Sequence, residues 1–523
     1  MQSRPGTVVS ADPLALAAPQ FWILFAVLVA AAGLPVLVAT LPPLFDYPNH
    51  LARMYLLIHQ PESAPLRQFY EIAWRPVPNL AMDCLVPALA RVMPLAWAGK
   101  VFILACFSLL AGGAAALHRV TSGRWSAWPL FACLFLYTRV FLWGLLNYLF
   151  GAGLALLALA SWIALGERRA GLRLAVAALF ALALFFAHLM ACAVYAVLVA
   201  GYELGQIWSD RPRQWTSAFR RLALAGAQFL PPAAILWRTG QGGGLTAISY
   251  GRYVRKLDLL FSVFDNYNRV FDGICFAAVV GFAAFAYGRR WLIVTPALRG
   301  PLLLLVLAYF AAPTQLMTAT AVDHRLPLVM AVVLMAATAA PSLRSRVALA
   351  IACAGIVLFT VRMAVIAVNW HRSDTIYARL IGILDEIPDG ARLAVAFPPE
   401  SVGSQPVPTT HLPTLAVIER NAFVPTLFAY PTQQPIALTP EFKALAARST
   451  PDAVWRALNG PESQADALDA LQSYDDVVVL APHAFALPPQ PMLRPIAVEA
   501  NFALYQIVRP GADVPPGPAE PSP

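Results

Sequence analysis

Polar side chains that could do acid–base chemistry gather directly after the first apolar stretch, in PPLFDYPNHLARMYLL at residues 42–57. Asp46 is the carboxylate of this segment, and His50 and Arg53 follow it. Pro48 favours the start of a helix on which His50 and Arg53 share one face. A carboxylate placed there can act as a general base, or it can simply cap the helix that follows. The sequence leaves both roles open.

A basic cluster lies later in the chain, in YGRYVRKLD at residues 250–258, after the glycine-rich GQGGG. Its cations are Arg252, Arg255 and Lys256. Positive charge at this place suits an anionic group such as the phosphate of a ligand. A basic helix at the membrane surface, touching anionic headgroups, explains the same pattern.

Other polar residues lie at the ends of apolar stretches. Asp323, His324 and Arg325 stand together in AVDHRLPLV, and charges at such a place in a membrane are costly and usually functional. A local ion pair that anchors the end of the helix is the alternative. His188, in FFAHLMA, is predicted at an external turn, where a structural hydrogen-bonding role is favoured over catalysis. His411, in the C-terminal part, is too isolated to be given a role.

Two further patterns favour structural roles. Asp258, Asp265 and Asp272 recur every seven residues, which predicts a solvated helix face rather than a metal site. Asn147 and Tyr148 are adjacent in an apolar stretch, where helix packing is the favoured role. The sequence has no P-loop, HExxH, GxSxG or dinucleotide motif, which argues against nucleotide-driven chemistry.

The elements that must position these residues are mostly membrane helices. Of 523 residues, 59% are hydrophobic and 12% are charged, whereas globular domains carry about 25% charged residues. A soluble core stops growing at about 250–300 residues and could not hide so much apolar surface. The sequence therefore predicts an α-helical polytopic membrane protein with roughly eleven spans. They are expected at residues 21–41, 95–117, 126–142, 147–165, 172–187, 189–207, 221–238, 270–287, 301–320, 326–341 and 347–368.

Arginine placement predicts the orientation of these helices. The net charge is +9, and arginines gather in short loops between apolar stretches. With this odd number of spans, those clusters fall on the cytoplasmic side, as the positive-inside rule requires. Residues 1–20 are then cytoplasmic, and the membrane domain covers 21–370 with external loops at 42–94 and 239–269. No nucleic-acid-binding pattern occurs, so membrane lipid is the expected partner of the positive charge.

A change of composition after Trp370 predicts a small external α/β domain over 371–509. ARLAVAFP, YDDVVVLAP and ANFALYQI alternate or run apolar over strand lengths, and DAVWRALN and ADALDALQS have helical periodicity. The Pro-rich residues 510–523 are predicted to be a disordered tail. Two short apolar segments, 50–59 and 77–94, are interpreted as helices at the membrane surface.

The order of these parts resembles the GT-C glycosyltransferases, which include the oligosaccharyltransferase, protein mannosyltransferase and aminoarabinose transferase families. The resemblance covers nearly the whole chain, from the acidic first external loop through surface helices and many spans to a periplasmic C-terminal α/β domain. Asp46 maps onto the family's catalytic position. The family more often has a pair of acids there, whereas Tyr47 follows Asp46 in this chain. That departure bears on whether a divalent cation, Mg²⁺ or Mn²⁺, binds at Asp46.

The resemblance implies a bacterial inner-membrane enzyme that moves a sugar from a polyprenyl-phosphate donor to a glycan, lipid or protein acceptor at the periplasmic face. Asp46 would be the general base, and cationic residues would neutralise the carrier phosphate. The residues expected to bind substrate are His50, Arg53, His188, Arg252, Arg255, Lys256, His324 and Arg325.

Two other functions remain open from the sequence. A transporter or flippase for a lipid-linked glycan predicts polar residues near the middle of several spans and usually an internal repeat. This chain instead concentrates its charges at the predicted outer surface and shows no repeat. A non-catalytic membrane subunit of an envelope assembly complex predicts that Asp46→Asn leaves function intact.

Overall fold

The computed structural model describes residues 12–210, 215–239, 248–316, 320–402, 408–459 and 465–509, and it divides the chain into two units. The helical unit comprises Met1–Leu44, Trp74–Asp374 and Pro431–Pro435. The C-terminal unit comprises Phe45–Ala73, Thr375–Tyr430 and Ile436–Pro523. The predicted tail 510–523 and the GQGGG segment lie outside the described residues.

The elements are numbered in chain order. The helices are α1 (Ala18–Val38), α2 (Tyr47–His59), α3 (Ala64–Phe69), α4 (Ala81–Leu89), α5 (Leu95–Ser122), α6 (Arg139–Leu142), α7 (Leu146–Leu165), α8 (Ala170–Ala187), α9 (Leu189–Ser209), α10 (Trp215–Ala227), α11 (Leu230–Arg238), α12 (Tyr253–Leu260), α13 (Arg269–Gly288), α14 (Pro296–Ala311), α15 (Leu326–Ala337), α16 (Ser345–Leu384), α17 (Ala416–Arg420), α18 (Pro440–Arg448), α19 (Pro451–Asn459) and α20 (Ala465–Leu471). The strands are β1 (Tyr70–Ile72), β2 (Ile248–Ser249), β3 (Ile293–Val294), β4 (Gln315–Leu316), β5 (Thr338–Ala339), β6 (Leu393–Ala396), β7 (Ile436–Leu438), β8 (Asp476–Leu480), β9 (Leu493–Val498) and β10 (Phe502–Ile507).

Among the described residues, seven helices are long and apolar enough to cross a membrane. They are α1, α5, α7, α8 with the turn before it, α9, α13 and α16. Each overlaps a predicted span, because a helix that crosses a membrane needs an apolar run of about 17–25 residues, which is visible in the sequence. The helical membrane fold predicted from composition is confirmed.

The remaining predicted spans correspond to shorter or interrupted helices. The 126–142 stretch forms a 3-10 segment, Trp128–Phe135, followed by α6, and the 221–238 stretch is divided between α10 and α11. α14 has 16 residues and α15 has 12. Prolines occupy the first turn of the 3-10 segment and of α11, where they favour a new start over continuation of a helix. The total of eleven spans therefore stays a prediction.

Glycines let the helices of the helical unit approach each other closely. A Cβ atom added to Gly153 of α7 would lie 2.5 Å from the backbone of Leu109 in α5. One added to Gly113 would lie 2.8 Å from the Gly153 carbonyl oxygen, and Gly201 of α9 meets Gly300 of α14 in the same way. Small residues at helix contacts are typical of membrane proteins, because apolar side chains gain nothing by leaving lipid.

A buried ionic network joins α7, α8, α9 and α10. Glu203 is fully buried, and its Oε1 accepts hydrogen bonds from Trp162 Nε1 and Arg173 Nη2, each at 2.7 Å. Arg221 lies 3.4 Å from Glu203 Oε2 and 2.5 Å from Glu167 Oε1. Arg173 and Arg221 belong to the arginine clusters that were expected to face anionic lipid. Acidic side chains neutralise them instead.

The last long helix continues past the predicted domain boundary. α16 has 40 residues, which is about 60 Å at 1.5 Å per residue. The composition changes after Trp370, but no proline interrupts the chain between there and Leu384. The span predicted at 347–368 and the first residues of the domain predicted from 371 therefore form one continuous helix.

The C-terminal unit contains a four-stranded sheet in the order β6-β8-β10-β9. β6 and β8 are parallel, and the other neighbours are antiparallel. The three predicted strands are β6, β8 and β10, and the two predicted helices are α19 and α20. Sequence analysis misses β9, because Pro495 interrupts its pattern. This strand lies at the edge of the sheet, where the missing N–H of proline is tolerated.

The segment after α1 belongs to the C-terminal unit. β1 pairs with β7, with Tyr70 opposite Leu438, and α2 packs against α17 and the 3-10 turn Leu412–Leu415. Most residues of α2 are buried, so the interpretation of 50–59 as a membrane-surface helix is not supported. In the helical unit, the helix predicted within 77–94 is limited to α4, whose start is held where Met82 N donates to Asn147 Oδ1 at 2.7 Å.

Asp476 gives the C-terminal unit a pH-dependent stability. It begins β8, is 2% exposed, and its Oδ2 has no hydrogen-bond partner among the described groups. Burial, and secondarily the charge of Asp475, raises the pKa of Asp476 from 3.8 to about 6. Because this pKa is higher in the folded than in the unfolded chain, the folded state is favoured by protonation and is progressively destabilised as the pH rises through 6.

We therefore expect Asp476→Asn to raise the thermal unfolding temperature of the full chain in detergent at pH 8, and the gain to vanish near pH 4. Tryptophan fluorescence during heating measures it. The matched control is Asp475→Asn, which should lower stability at pH 8, because Asp475 accepts hydrogen bonds from Arg392 and Arg509. A gain from Asp476→Asn that is equal at both pH values would contradict this account.

Candidate active site

Asp46 immediately precedes α2 but does not use its carboxylate to cap the helix. It occupies the N-cap position, and its side chain makes no capping hydrogen bond. Pro48 stands in the first turn, where a residue without an N–H leaves no donor to satisfy. The capping explanation for Asp46 is therefore wrong, and its side chain, 16% exposed, is directed to other contacts.

One of these contacts is His411, whose Nε2 lies 3.7 Å from Asp46 Oδ1. Sequence analysis gives His411 no role, because the two residues are distant in the chain and no local pattern connects them. Both belong to the C-terminal unit, where α2 packs against the turn that His411 begins. The structure thus adds a residue that sequence reasoning missed.

Asn49 determines which nitrogen of His411 carries the proton. Asn49 Oδ1 accepts a hydrogen bond from Phe428 N at 2.7 Å, so the other end of the amide is the donor. Asn49 Nδ2 donates to Thr426 O and to His411 Nδ1, each at 3.1 Å. His411 Nδ1 is therefore the acceptor, and the neutral ring carries its proton on Nε2, the nitrogen that faces Asp46.

Aromatic rings enclose His411 and keep it neutral. The Phe45 ring lies 4.5 Å from the imidazole and the Phe428 ring 5.2 Å, both edge to face. This burial lowers the pKa of His411 to about 4. At neutral pH the contact with Asp46 is therefore an N–H facing a carboxylate, and not an ion pair.

His50 and Arg53 lie in the same helix and are both buried. The backbone N of His50 donates to Asp46 O at 3.0 Å, and its ring lies 6.1 Å from that of Phe428. Arg53 follows one turn later and is fully buried. The structure places both in the predicted helix beside Asp46, and substrate binding by them stays a prediction.

The groups described around Asp46 do not suit a divalent cation. Within the described ranges, no three His, Cys, Asp or Glu side chains come together in a way that could hold a metal. Mg²⁺ and Mn²⁺ favour oxygen ligands, whereas His411 presents a protonated nitrogen and Tyr47 stands where the family often has an acid. The cation hypothesis stays a prediction that these groups do not support.

A second cluster, in the helical unit, brings together Tyr148, His188 and Arg325. The Tyr148 hydroxyl donates to the Arg325 carbonyl oxygen at 2.7 Å, and the Arg325 guanidinium lies 5.9 Å from the centre of the Tyr148 ring. The His188 ring packs edge to face on Tyr148 at 5.5 Å. His188 Nδ1 also accepts from Met190 N and so caps α9, which is the structural role that the sequence favours. Tyr148 was expected only to pack helices, and it contacts two predicted substrate-binding residues.

Lys256 forms hydrogen bonds to the C-terminal end of α14. Its Nζ donates to the carbonyl oxygens of Tyr309 and Ala312 at 2.8 and 2.6 Å, and lies 3.7 Å from Asp323 Oδ2. A lysine that binds the last carbonyls of a helix stabilises that end. This geometry favours the local ion-pair explanation of Asp323 and gives Lys256 a structural role.

Of the other residues predicted to bind phosphate or substrate, two are exposed and one is buried. Arg252 and Arg255 are exposed at the start of α12. His324 is buried and stacks on Trp143, with ring centres 5.0 Å apart. His324 is next to Arg325 in the chain and is close enough to Arg255 and Arg325 to interact with their charges.

The aspartates spaced every seven residues do not share a solvated face. Asp265 is buried and pairs with Arg139, and Asp272 is buried and lies 3.1 Å from Arg362 Nη1. Asp258 alone is exposed, in α12. Asp258 lies in α12, Asp265 in the segment between α12 and α13, and Asp272 in α13, so the three do not form one helix face and that prediction is wrong.

No protein-family model matches the chain, and no curated protein matches it. Among solved structures, the fold is similar to that in the crystal structure of ArnT from Cupriavidus metallidurans bound to undecaprenyl phosphate. The match covers 96% of this chain and 100% of that chain, with a TM-score of 0.53 and 11% sequence identity. ArnT is a GT-C aminoarabinose transferase. The chain therefore has a fold like that of ArnT, and at this identity the likeness concerns the fold alone.

Proposed function

We propose that this chain is a GT-C-type membrane glycosyltransferase that moves a sugar from a polyprenyl-phosphate donor to an envelope acceptor. The position of Asp46 carries the proposal: a carboxylate just after the first membrane helix, unused for capping and faced by His411. The ArnT-like fold supports the class of enzyme, and the undecaprenyl phosphate bound in that crystal structure supports a polyprenyl carrier.

In the proposed reaction, Asp46 is the general base. It accepts the proton of the acceptor hydroxyl as the acceptor oxygen forms a bond to the anomeric carbon of the sugar. The bond from that carbon to the phosphate oxygen breaks, and its electron pair stays on the released polyprenyl phosphate. Direct displacement of this kind inverts the anomeric configuration. A positioned base of this kind contributes about 10²–10⁴-fold to the rate.

The charge that develops on the departing phosphate needs a cation, and Arg325 is the candidate. It is 8% exposed and stands at the start of α15, in contact with Tyr148. Asp46 and Arg325 belong to different units, so the two roles are proposed and tested separately.

We expect Arg325→Gln to weaken the binding of undecaprenyl phosphate by about tenfold or more, since a hydrogen bond to a charged group contributes about 1.5–3 kcal/mol. Tyr148 bonds to the backbone carbonyl of Arg325, so the substitution preserves that bond. Titration of the detergent-solubilised protein with undecaprenyl phosphate gives the Kd. Arg289→Gln, at an exposed arginine at the C-terminal end of α13 in the same unit, is the matched control. Equal affinities for the two variants would remove Arg325 from this role.

The proposed location is the bacterial inner membrane, with residues 1–20 cytoplasmic and the C-terminal unit in the periplasm. The arginine clusters between the long apolar helices support this orientation through the positive-inside rule. Polyprenyl-phosphate sugars are lipids, which explains why such an enzyme would be embedded in a membrane.

The experiment that tests the function uses the purified full chain in lipid nanodiscs. It is incubated with the polyprenyl-phosphate-sugar fraction of bacterial membranes and with envelope lipids and glycans as acceptors. Mass spectrometry then follows the free polyprenyl phosphate. Time-dependent release that requires both the protein and an acceptor supports the proposal, and donor lipids that stay intact throughout contradict it.

A further inference from the structure

His411 is the last residue of a row of hydrogen bonds that all point the same way, from Phe428 through Asn49 to His411. The reaction proposed above gives this row no role. Phe428 N donates to Asn49 Oδ1, and Asn49 Nδ2 donates to His411 Nδ1. The remaining donor of the row, His411 Nε2–H, faces Asp46 Oδ1. Hydrogen bonds arranged head to tail polarise one another in a buried site, so the row strengthens the donor at its end.

The imidazole is fixed in its orientation as well as in its tautomer. His411 precedes the turn Leu412–Leu415, and its carbonyl oxygen accepts from Thr414 Oγ1 at 2.7 Å and from Thr414 N at 3.1 Å. The Phe45 and Phe428 rings hold its sides. An imidazole held in this way needs only a small movement to reach Asp46, and a small reorganisation is the condition under which such a donor contributes most.

We propose that His411 is a positioning residue for the general base: its Nε2–H binds Asp46 Oδ1 and turns Oδ2 towards the acceptor hydroxyl. The role rests on the proposed function of Asp46. The present 3.7 Å separation is longer than a hydrogen bond, and we infer that it shortens when an acceptor is bound, as catalytic contacts commonly do. Asn49 serves the same role indirectly, because its amide keeps the proton on Nε2.

Two substitutions separate this role from simple packing. Glutamine can place its amide N–H near the position of Nε2, whereas leucine has no donor. We expect His411→Leu to lower kcat about tenfold to a hundredfold, with little change in the KM for the donor. The loss is smaller than that expected from removing the base itself, because Asp46 remains. His411→Gln should recover most of this loss. His483→Leu, at an exposed histidine of the same unit, is the control and should match wild type.

A spectroscopic measurement tests the geometry without activity. Solid-state NMR of the full chain with ¹⁵N-labelled histidine resolves eight residues, and His411→Gln identifies the signal of His411. We expect a neutral ring protonated on Nε2, whose Nε2 signal shifts in Asp46→Asn. A ring protonated on Nδ1, or an Nε2 signal that ignores Asp46→Asn, would overturn the proposal.

The kinetic outcomes distinguish this proposal from the function on which it rests. A wild-type chain that releases no polyprenyl phosphate overturns the transferase and this role together. An active wild type whose kcat survives His411→Leu overturns the role of His411 alone. Equal losses in the folded leucine and glutamine variants also overturn it, because they would show that shape and not the N–H donor matters.

Discussion

Asp46→Asn is expected to lower the kcat of sugar transfer by about 10²–10⁴-fold while the KM for the polyprenyl donor changes little. Asparagine has nearly the same shape and can still accept a hydrogen bond from His411, so the substitution removes basicity and leaves the packing. An amide cannot take the proton of the acceptor hydroxyl. Steady-state transfer from a labelled donor, at several donor and acceptor concentrations, separates kcat from KM.

The matched control for this prediction is Asp452→Asn. Asp452 is a carboxylate of the same unit and forms a surface pair with Arg456. Its loss should leave kcat unchanged, because exposed pairs contribute about 0–1 kcal/mol to stability and this one lies in α19, away from the described contacts of Asp46. If Asp46→Asn were as active as this control, Asp46 would not be the base.

Glu203→Ala is expected to destabilise the folded chain by about 3–5 kcal/mol, the cost of leaving a buried charge without its partner. Arg173 is 4% exposed and donates to Glu203, and Trp162 Nε1 would lose its acceptor as well. The network joins elements across α7–α10, so its loss weakens the packing of several helices. Unfolding in mixed micelles, followed by tryptophan fluorescence, measures the change.

A double substitution tests whether the buried charge is the cause. Glu203→Leu combined with Arg173→Leu should recover much of the loss, because replacing both partners with apolar groups avoids the uncompensated charge. Asp452→Ala, which breaks a surface pair, should cost about 1 kcal/mol or less. The account of the network is wrong if Glu203→Ala costs no more than Asp452→Ala.

Local chemistry makes much of the fold predictable from the sequence. Long apolar runs give the seven long helices because lipid requires them, and alternating residues give β6, β8 and β10. The shorter helices α14 and α15 are harder to predict, because neither has a full apolar run. Packing against neighbouring helices supports them instead. The domain boundary predicted after Trp370 lies inside α16, because composition records the environment of a helix and not where its hydrogen bonds end.

The candidate site is predictable only in part, because its contacts are long-range. Asp46 can be identified from its place after the first apolar run, and His188 from its place at a turn. His411 has no such local signal, since its place beside Asp46 follows from packing of α2 against the turn Leu412–Leu415. Lys256 has contacts that its spacing does not predict: it donates to the carbonyl groups at the end of α14, and phosphate binding by it stays a prediction.

The central claim, that sugar is separated from its lipid carrier, is tested most directly with a doubly labelled donor. Undecaprenyl-phosphate sugars carrying one label in the lipid and another in the sugar are incubated with the full chain in proteoliposomes and with envelope acceptors. We predict that the sugar label moves to an acceptor with the opposite anomeric configuration, and that an equal amount of labelled undecaprenyl phosphate remains in the membrane. Labels that cross the bilayer together on an intact lipid would identify a flippase and contradict the account.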